Sequence, residues 1–185
     1  SLRHSVVTLG GDIVRIRNLE RGRIAVMAVE GMALPQVLGS ASTYARAALG
    51  GLDGRALIAG MHLPAFAAAE RLSQMLPDAP QVEAGAIRVV AGPQADHFCA
   101  DTLATFINTE YKVTGQADRM GVRLEGPPLE HLGTPEIISD ATVPGSIQVP
   151  GNGQPIVLLA DAQTAGGYPK IATVISADLS RVADA

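Results

Sequence analysis

The 185-residue chain has no tryptophan, three tyrosines, three phenylalanines, one cysteine and two lysines. Aromatic content is 3% against 47% hydrophobic residues, so any core must be aliphatic, built from Val, Ile, Leu and Ala. The single cysteine, Cys99, excludes an intramolecular disulfide and fits a reducing, cytoplasmic setting. No apolar run reaches the roughly 18 residues of a membrane span, so no membrane partner is expected. No secretory signal is recognisable at the start of the sequence. The net charge of −4 gives a nucleic acid no electrostatic footing. No Gly-x-x-x-x-Gly-Lys-[Ser/Thr] run occurs, which excludes a P-loop in this chain. His62, His97 and His131 are scattered without ligand spacing, and no metal site is expected.

What is present is mostly short strand-like runs separated by turn residues. Val6 to Leu9 and Asp12 to Arg17 read as strands around Gly10-Gly11, with Val14 and Ile16 alternating with Arg15 and Arg17. Arg23 to Val29 reads as a third strand, and residues 31–60 as loops around short elements. Leu63 to Leu76 contains Ala-rich helical material, ended by Pro77-Asp78-Ala79-Pro80. Ile87 to Ala91 is strand-like. Asp96 to Ile107 reads as a helix offering Phe98, Leu103, Phe106 and Ile107 to one apolar face. Strands are then expected at 111–113, 121–124, 147–149, 156–160 and 171–176. The class is mainly β with short helices, in two parts: residues 1–76 and 85–185, joined by a linker at 77–84.

The chemistry concentrates after the apolar run Ile156 to Ala160. Asp161, Gln163, Thr164, Gly166, Gly167, Tyr168 and Lys170 fall within ten residues, with Pro169 closing the turn. Twelve of the fourteen basic residues are arginines, so a lysine inside this turn stands out. Gln163 carries both donor and acceptor, the pair needed to read an amide or ureido group. Tyr168 and Lys170 are candidates to polarise a carbonyl, and Asp161 to hold Lys170 charged or to act as a base. Asp118-Arg119 is a second candidate. Its guanidinium suits a carboxylate or phosphate, or else a structural ion pair. Ser40, Ser42, Thr43 and Tyr44 form a hydroxyl cluster best read as caps of a turn or helix, because no base accompanies them.

Several segments together resemble one family. They are Gly145-Ser146-Ile147-Gln148-Val149-Pro150, Gly153-Gln154-Pro155-Ile156, Asp161 with Gln163 through Lys170, and Ile175 to Leu179. Upstream lie Asp118-Arg119-Met120-Gly121 with Arg123-Leu124-Glu125-Gly126-Pro127, then Gly92-Pro93-Gln94 with Asp96 and Phe98, and Leu38-Gly39-Ser40 with Ser42-Thr43-Tyr44. In this order they resemble the KipA-like proteins, also called allophanate hydrolase subunit 2 or the biotin-dependent carboxyltransferase family, which takes in one subunit of bacterial 5-oxoprolinase. Ala117 stands where the family has serine, Glu30-Gly31-Met32 where it has Gly-Gly-Ile, and Met61 where it has Asp.

The resemblance implies a cyclophilin-like β-barrel at about 85–185, preceded by the remainder of a barrel-like subdomain. It also implies that a further stretch of the family's sequence precedes this one. Two activities are implied. The first is ATP-dependent opening of 5-oxoproline to glutamate, with a KipI-like subunit (allophanate hydrolase subunit 1) and a LamB/YcsF-like subunit. The second is carboxyl transfer from carboxybiotin to urea in enzymes of the urea amidolyase type. A third reading is a non-catalytic regulator that binds a KipI-like protein. The implied catalytic residues are Lys170, Tyr168 and Asp161; those for substrate binding are Asp118, Arg119, Gln163, Thr164, Gly166 and Gly167. ATP is expected at the level of the complex. No biotin-attachment lysine and no amidase signature are present, so neither role belongs to this chain.

Overall fold

The computed structural model describes residues 7–16, 27–67 and 85–185. They divide between two compact units, 7–16 with 27–67 in the first and 85–185 in the second. The expected linker at 77–84 lies outside the described residues, as do 1–6, 17–26 and 68–76.

In the first unit the Gly10-Gly11 turn forms, closed by Asp12 N donating to Leu9 O at 3.0 Å and by Leu9 N donating to the Asp12 carboxylate at 2.8 Å. The strands expected on either side of it do not form over residues 7–9 and 12–16. Alternation makes a strand only when one face is buried and a partner takes the ladder. Here Val7, Leu9, Ile13, Val14 and Ile16 are all exposed. The described parts of two further expectations, 27–29 as strand and 63–67 as helix, are also irregular; Ala65 instead bridges Met32. A 3-10 turn, Ala45–Ala47, follows Tyr44. Ser40 Oγ accepts from Ser42 N at 3.1 Å, the turn-capping role read from the hydroxyl cluster.

The second unit is mainly β with two short α-helices. In chain order its elements are β1 (Val89–Ala91), α1 (Ala100–Asn108), β2 (Lys112–Val113), β3 (Gly121–Glu125), β4 (Asp140–Ala141), β5 (Ser146–Gln148), β6 (Ile156–Leu158), β7 (Ala165–Gly166), β8 (Lys170–Val174) and α2 (Leu179–Asp184). Six strands form one antiparallel sheet in the order β1-β8-β5-β6-β3-β2, and β4 pairs with β7 in a separate two-stranded ribbon. The expected strands at 87–91, 111–113, 121–124, 147–149, 156–160 and 171–176 each overlap one of these six. Aliphatic residues of these strands, of the segments beside them and of α2 pack as the core: Val122, Leu129, Ile147, Val149, Val157, Leu159, Ile171, Ala172, Val174 and Val182, with Phe98.

The expected helix at 96–107 is split. A 3-10 turn at Ala95–His97 is followed by extended Phe98, which bridges His131, and α1 starts only at Ala100. Burying the Phe98 ring against His131, 5.0 Å between centroids, interrupts the helix. Leu103 and Phe106 pack on the core as expected, whereas Ile107 faces solvent and is 70% exposed.

One clasp ties the start of the sheet to the C-terminal helix. Arg88 holds the buried Asp178 through its backbone N at 2.8 Å, Nε at 3.1 Å and Nη2 at 2.8 Å. Arg181 adds a contact at 3.3 Å and donates to the carbonyls of Gly85 and Ala86. The Arg88 side-chain bonds, then its backbone N–H, hold the Asp178 carboxyl far below the usual carboxylate range, with a smaller contribution from the charge of Arg181.

A carboxyl depressed in the folded state stabilises above its unfolded value of about 4 and loses that contribution as pH falls toward the folded value. Asp178→Asn should therefore lower the melting temperature at pH 7. It should also flatten the acid limb of a melting-temperature profile recorded between about pH 2 and pH 5. A variant profile parallel to the wild type throughout that range would refute the clasp.

Candidate functional site

Lys170 opens β8, directly after Pro169. Its register is set by an irregularity: Ile147 pairs with Ala172, but the next residue, Gln148, pairs with Lys170. Ile171 is the extra residue of a bulge, a device that re-aims side chains. The bulge places Lys170 directly opposite Gln148, and both are 2% exposed. A buried ammonium is costly unless a counter-charge meets it. That charge is Asp140, whose Oδ2 lies 2.8 Å from Lys170 Nζ. The Asp140 side chain is 49% exposed.

Gln94 locks the pair. Its Nε2 donates to Asp140 Oδ2 at 3.1 Å, and its Oε1 accepts from Lys170 N at 3.2 Å. Gln94 N in turn donates to Lys170 O at 3.3 Å. This approach demands a glycine two residues earlier: a Cβ on Gly92 would stand 2.1 Å from Lys170 O. The bonds from Lys170, then Gln94 and the backbone of Ala141, keep the Asp140 carboxyl below its ordinary range.

The two-glycine turn supplies the other wall. β7 pairs with β4 in the register Asp140↔Gly166, so the turn itself carries Asp140 to the lysine. Thr142 N donates to Thr164 O at 3.0 Å, Thr142 Oγ1 to Gln163 O, and Ile137 N to Gly167 O at 2.9 Å. Gln163 Nε2 donates to Gln148 Oε1 at 3.2 Å, and Gln148 Nε2 to Tyr168 O at 3.4 Å. A Cβ at Gly166 would stand 2.3 Å from Gln148 Nε2, so only glycine admits the buried amide. The Tyr168 ring is exposed, and its contribution to these contacts is the backbone carbonyl.

Asp118, Arg119 and Asp161 form a second group. Asp118 and Arg119 occupy a turn before β3. Asp118 Oδ1 accepts from Met120 N at 2.8 Å and Gly121 N at 3.2 Å, and Asp118 N donates to Gly121 O at 3.1 Å. Such side-chain closure of a turn competes with strand geometry. Arg119 places Nε 2.8 Å from Asp161 Oδ2 and Nη2 3.1 Å from Oδ1. The carboxylate expected to hold Lys170 therefore holds Arg119, and Asp140 takes its place at the lysine. Asp140 and Gln94 escaped sequence reasoning as site residues. The lone signal was Gln94 inside the Gly92-Pro93-Gln94 segment.

Two open concavities lie elsewhere in this unit. One, of about 660 Å³, includes Thr114, Arg123, Glu125, Gln154 and Ile156 in its wall; the other, about 370 Å³, includes Leu129, His131 and Asn152. Neither is lined by a residue of the two groups above, and the buried charge identifies the better candidate site. Among the described residues no group of three His, Cys, Asp or Glu side chains suits a metal ion. No helix among them is long and apolar enough to cross a membrane.

Residues 2–185 match the family described as "Carboxyltransferase domain, subdomain A and B". The chain is similar to a 5-oxoprolinase subunit of Escherichia coli (strain K12), 38% identical over 175 residues, covering 94% of this chain and 56% of that protein. It is similar to the like-named subunit of Haemophilus influenzae, 40% identical over 174 residues with the same coverages. Among solved structures it resembles Kluyveromyces lactis urea carboxylase, with a TM-score of 0.69 and 26% identity over 83% of this chain and 16% of that one. The chain thus spans little more than half the length of the two bacterial relatives.

The exposures of the ion pair predict an asymmetry. Removing the carboxylate with Asp140→Ala strands a buried ammonium, whereas Lys170→Met leaves a half-exposed carboxylate that water can solvate. Asp140→Ala should therefore lower the melting temperature more than Lys170→Met does. The double variant should fall close to Lys170→Met alone, because the stranded charge has gone. Equal single effects that simply add would count against the pair.

Proposed function

The chain belongs to the carboxyltransferase-domain family, subdomains A and B, and we propose that it serves as a 5-oxoprolinase subunit, opening the lactam of 5-oxoproline to glutamate with ATP. The observation that carries this reading is the buried Lys170, paired with the half-exposed Asp140 and set among Gln94, Gln148 and Gln163. Amide side chains around a fixed ammonium suit a small amide substrate better than a phosphate or an apolar one. The identity of 38–40% to two bacterial 5-oxoprolinase subunits supports this reading ahead of others.

Lys170 directs its charge at the lactam carbonyl, where negative charge develops as the ring opens. Asp140 and Gln94 fix that ammonium in place. Gln163 presents a further donor and acceptor at the rim, and Gly166 lets the main chain come close. Tyr168 and Thr164 lie on the same turn, at its exposed side. Arg119, with Asp118 shaping its turn, forms a separate polar site with Asp161. ATP belongs to the complex, because this chain carries no P-loop. Partner subunits of the KipI-like and LamB/YcsF-like kinds supply the nucleotide site and the remaining surfaces. The assembly works in the cytoplasm.

The likeness to urea carboxylase supports a second reading, transfer of a carboxyl group to urea. The residues present fit the ureido group of carboxybiotin, since Lys170 engages one acceptor among the described residues and an ammonium has three donors. Gln148, Gln163 and Lys170 would hold it, and the cofactor would supply the carboxyl group. A KipI-binding regulator without activity is the remaining reading.

Co-expression with the KipI-like and LamB/YcsF-like proteins tests all three. The chain should co-elute with the KipI-like subunit on size exclusion at micromolar concentration, and the reconstituted complex should release glutamate from 5-oxoproline with ATP. Lys170→Met should cut turnover about 100- to 1000-fold, and Lys170→Arg should not restore it. A co-eluting but inert complex would favour the regulator; turnover confined to urea and carboxybiotin would favour the second reading. Near-normal turnover of Lys170→Met would remove the lysine from the chemistry.

A further inference from the structure

Lys170 accounts for the reacting carbonyl but not for the nitrogen beside it. An ionised carboxylate offers about four lone-pair sites. At Asp140 three are occupied: Oδ2 takes Lys170 Nζ and Gln94 Nε2, and Oδ1 takes Ala141 N at 2.8 Å. The fourth, on Oδ1, belongs to a side chain that is half open to solvent. Lys170 is almost wholly buried, yet one acceptor engages its ammonium among the described residues, so N–H donors remain unassigned there. The open acceptor and the spare donors belong to one joined pair: Oδ1 is the second oxygen of the carboxylate whose Oδ2 meets the ammonium at 2.8 Å.

We propose that Asp140 is the substrate-recognition residue of this site, accepting the substrate's N–H while Lys170 donates to the adjoining C=O. Together they read the cis edge of an amide. This rests on the lactam reading above and deepens it. In a five-membered lactam, and in urea, an N–H and the C=O lie on one edge. In an acyclic secondary amide the trans preference puts them on opposite sides. A donor and acceptor this close together match the first arrangement and reject the second. Asp140 also suits the role electrostatically, because a carboxylate held ionised by Lys170 and Gln94 accepts a hydrogen bond without taking the proton. Gln94 is a positioning residue here, acting through Asp140.

The test is ligand-observed NMR titration of the reconstituted complex with 2-pyrrolidone, N-methyl-2-pyrrolidone and N-methylacetamide. Wild type should bind 2-pyrrolidone roughly 10- to 100-fold more tightly than its N-methyl analogue, the discrimination expected of a hydrogen bond to a charged group. N-methylacetamide should bind as weakly as the N-methyl lactam. In Asp140→Asn the preference for N–H should collapse toward unity. Lys170→Met should weaken 2-pyrrolidone yet keep the N–H preference, which covers the case in which Asp140→Asn does not fold. Equal binding of the two lactams by wild type, or an N–H preference that survives Asp140→Asn, would overturn the proposal. If the complex turns over 5-oxoproline while binding ignores the N–H, the recognition role fails and the lactam reading stands. If binding depends on the N–H but neither 5-oxoproline nor urea is turned over, the recognition role stands and the lactam reading fails.

Discussion

An ammonium on a side chain that is only 2% exposed has to be neutralised where it sits, and much of the second unit's local geometry follows from meeting that demand at Lys170. The counter-charge does not come from β8, from β5 or from the segment after β1, which present Gln148, Gly92 and Gln94 around the lysine. It comes from β4, thirty residues earlier, on a strand outside the main sheet. β4 is held there by β7, and β7 is the two-glycine turn that leads into Lys170. The turn therefore supplies the lysine and, through its partner strand, the carboxylate that makes a buried lysine tolerable. Gly92 and Gly166 follow from the same constraint, since each has its missing Cβ replaced by an atom of Lys170 or Gln148.

This dependence explains what could be read in advance. The six strands of the main sheet carry runs such as Ile156-Val157-Leu158 and Ile171-Ala172-Thr173-Val174, whose burial is written in local composition. Lys170 was legible because lysine is scarce and the turn around it is dense in polar groups. Asp140 was not, because a two-residue strand has no period and the ion pair depends on a register across thirty residues. Arg119 and Asp161 were each legible as polar candidates, but their pairing is a property of the folded turn. The helix through Phe98 failed for a similar reason: its local pattern is helical, and a non-local ring contact with His131 overrides it. In the first unit, alternation at Val14 and Ile16 lacks a buried face to act on.

The two ion pairs differ in kind. Arg119–Asp161 is bidentate but its arginine is 72% exposed, so solvent and salt screen it and it contributes little to stability. Lys170–Asp140 has one partner sealed and the other at the surface, so its energy is decided by the buried end. Such a pair cannot be optimised for stability alone, because an apolar side chain at 170 would fill the same space without the desolvation cost. That imbalance is the physical reason to look for function here.

The neutrality of the Lys170–Asp140 pair also constrains what the site can recognise. A bare lysine would attract any anion; a lysine already joined to a carboxylate presents no net charge and favours a neutral group with matched donor and acceptor. Under the proposed reaction the substrate is an amide that also carries a carboxylate. The amide suits the neutral pair, but the carboxylate needs a cation that is free. Arg119 spends its Nε–Nη2 edge on Asp161, so an anion meeting this arginine would have to use the Nη1 side of the guanidinium, beside a carboxylate that already offsets its charge.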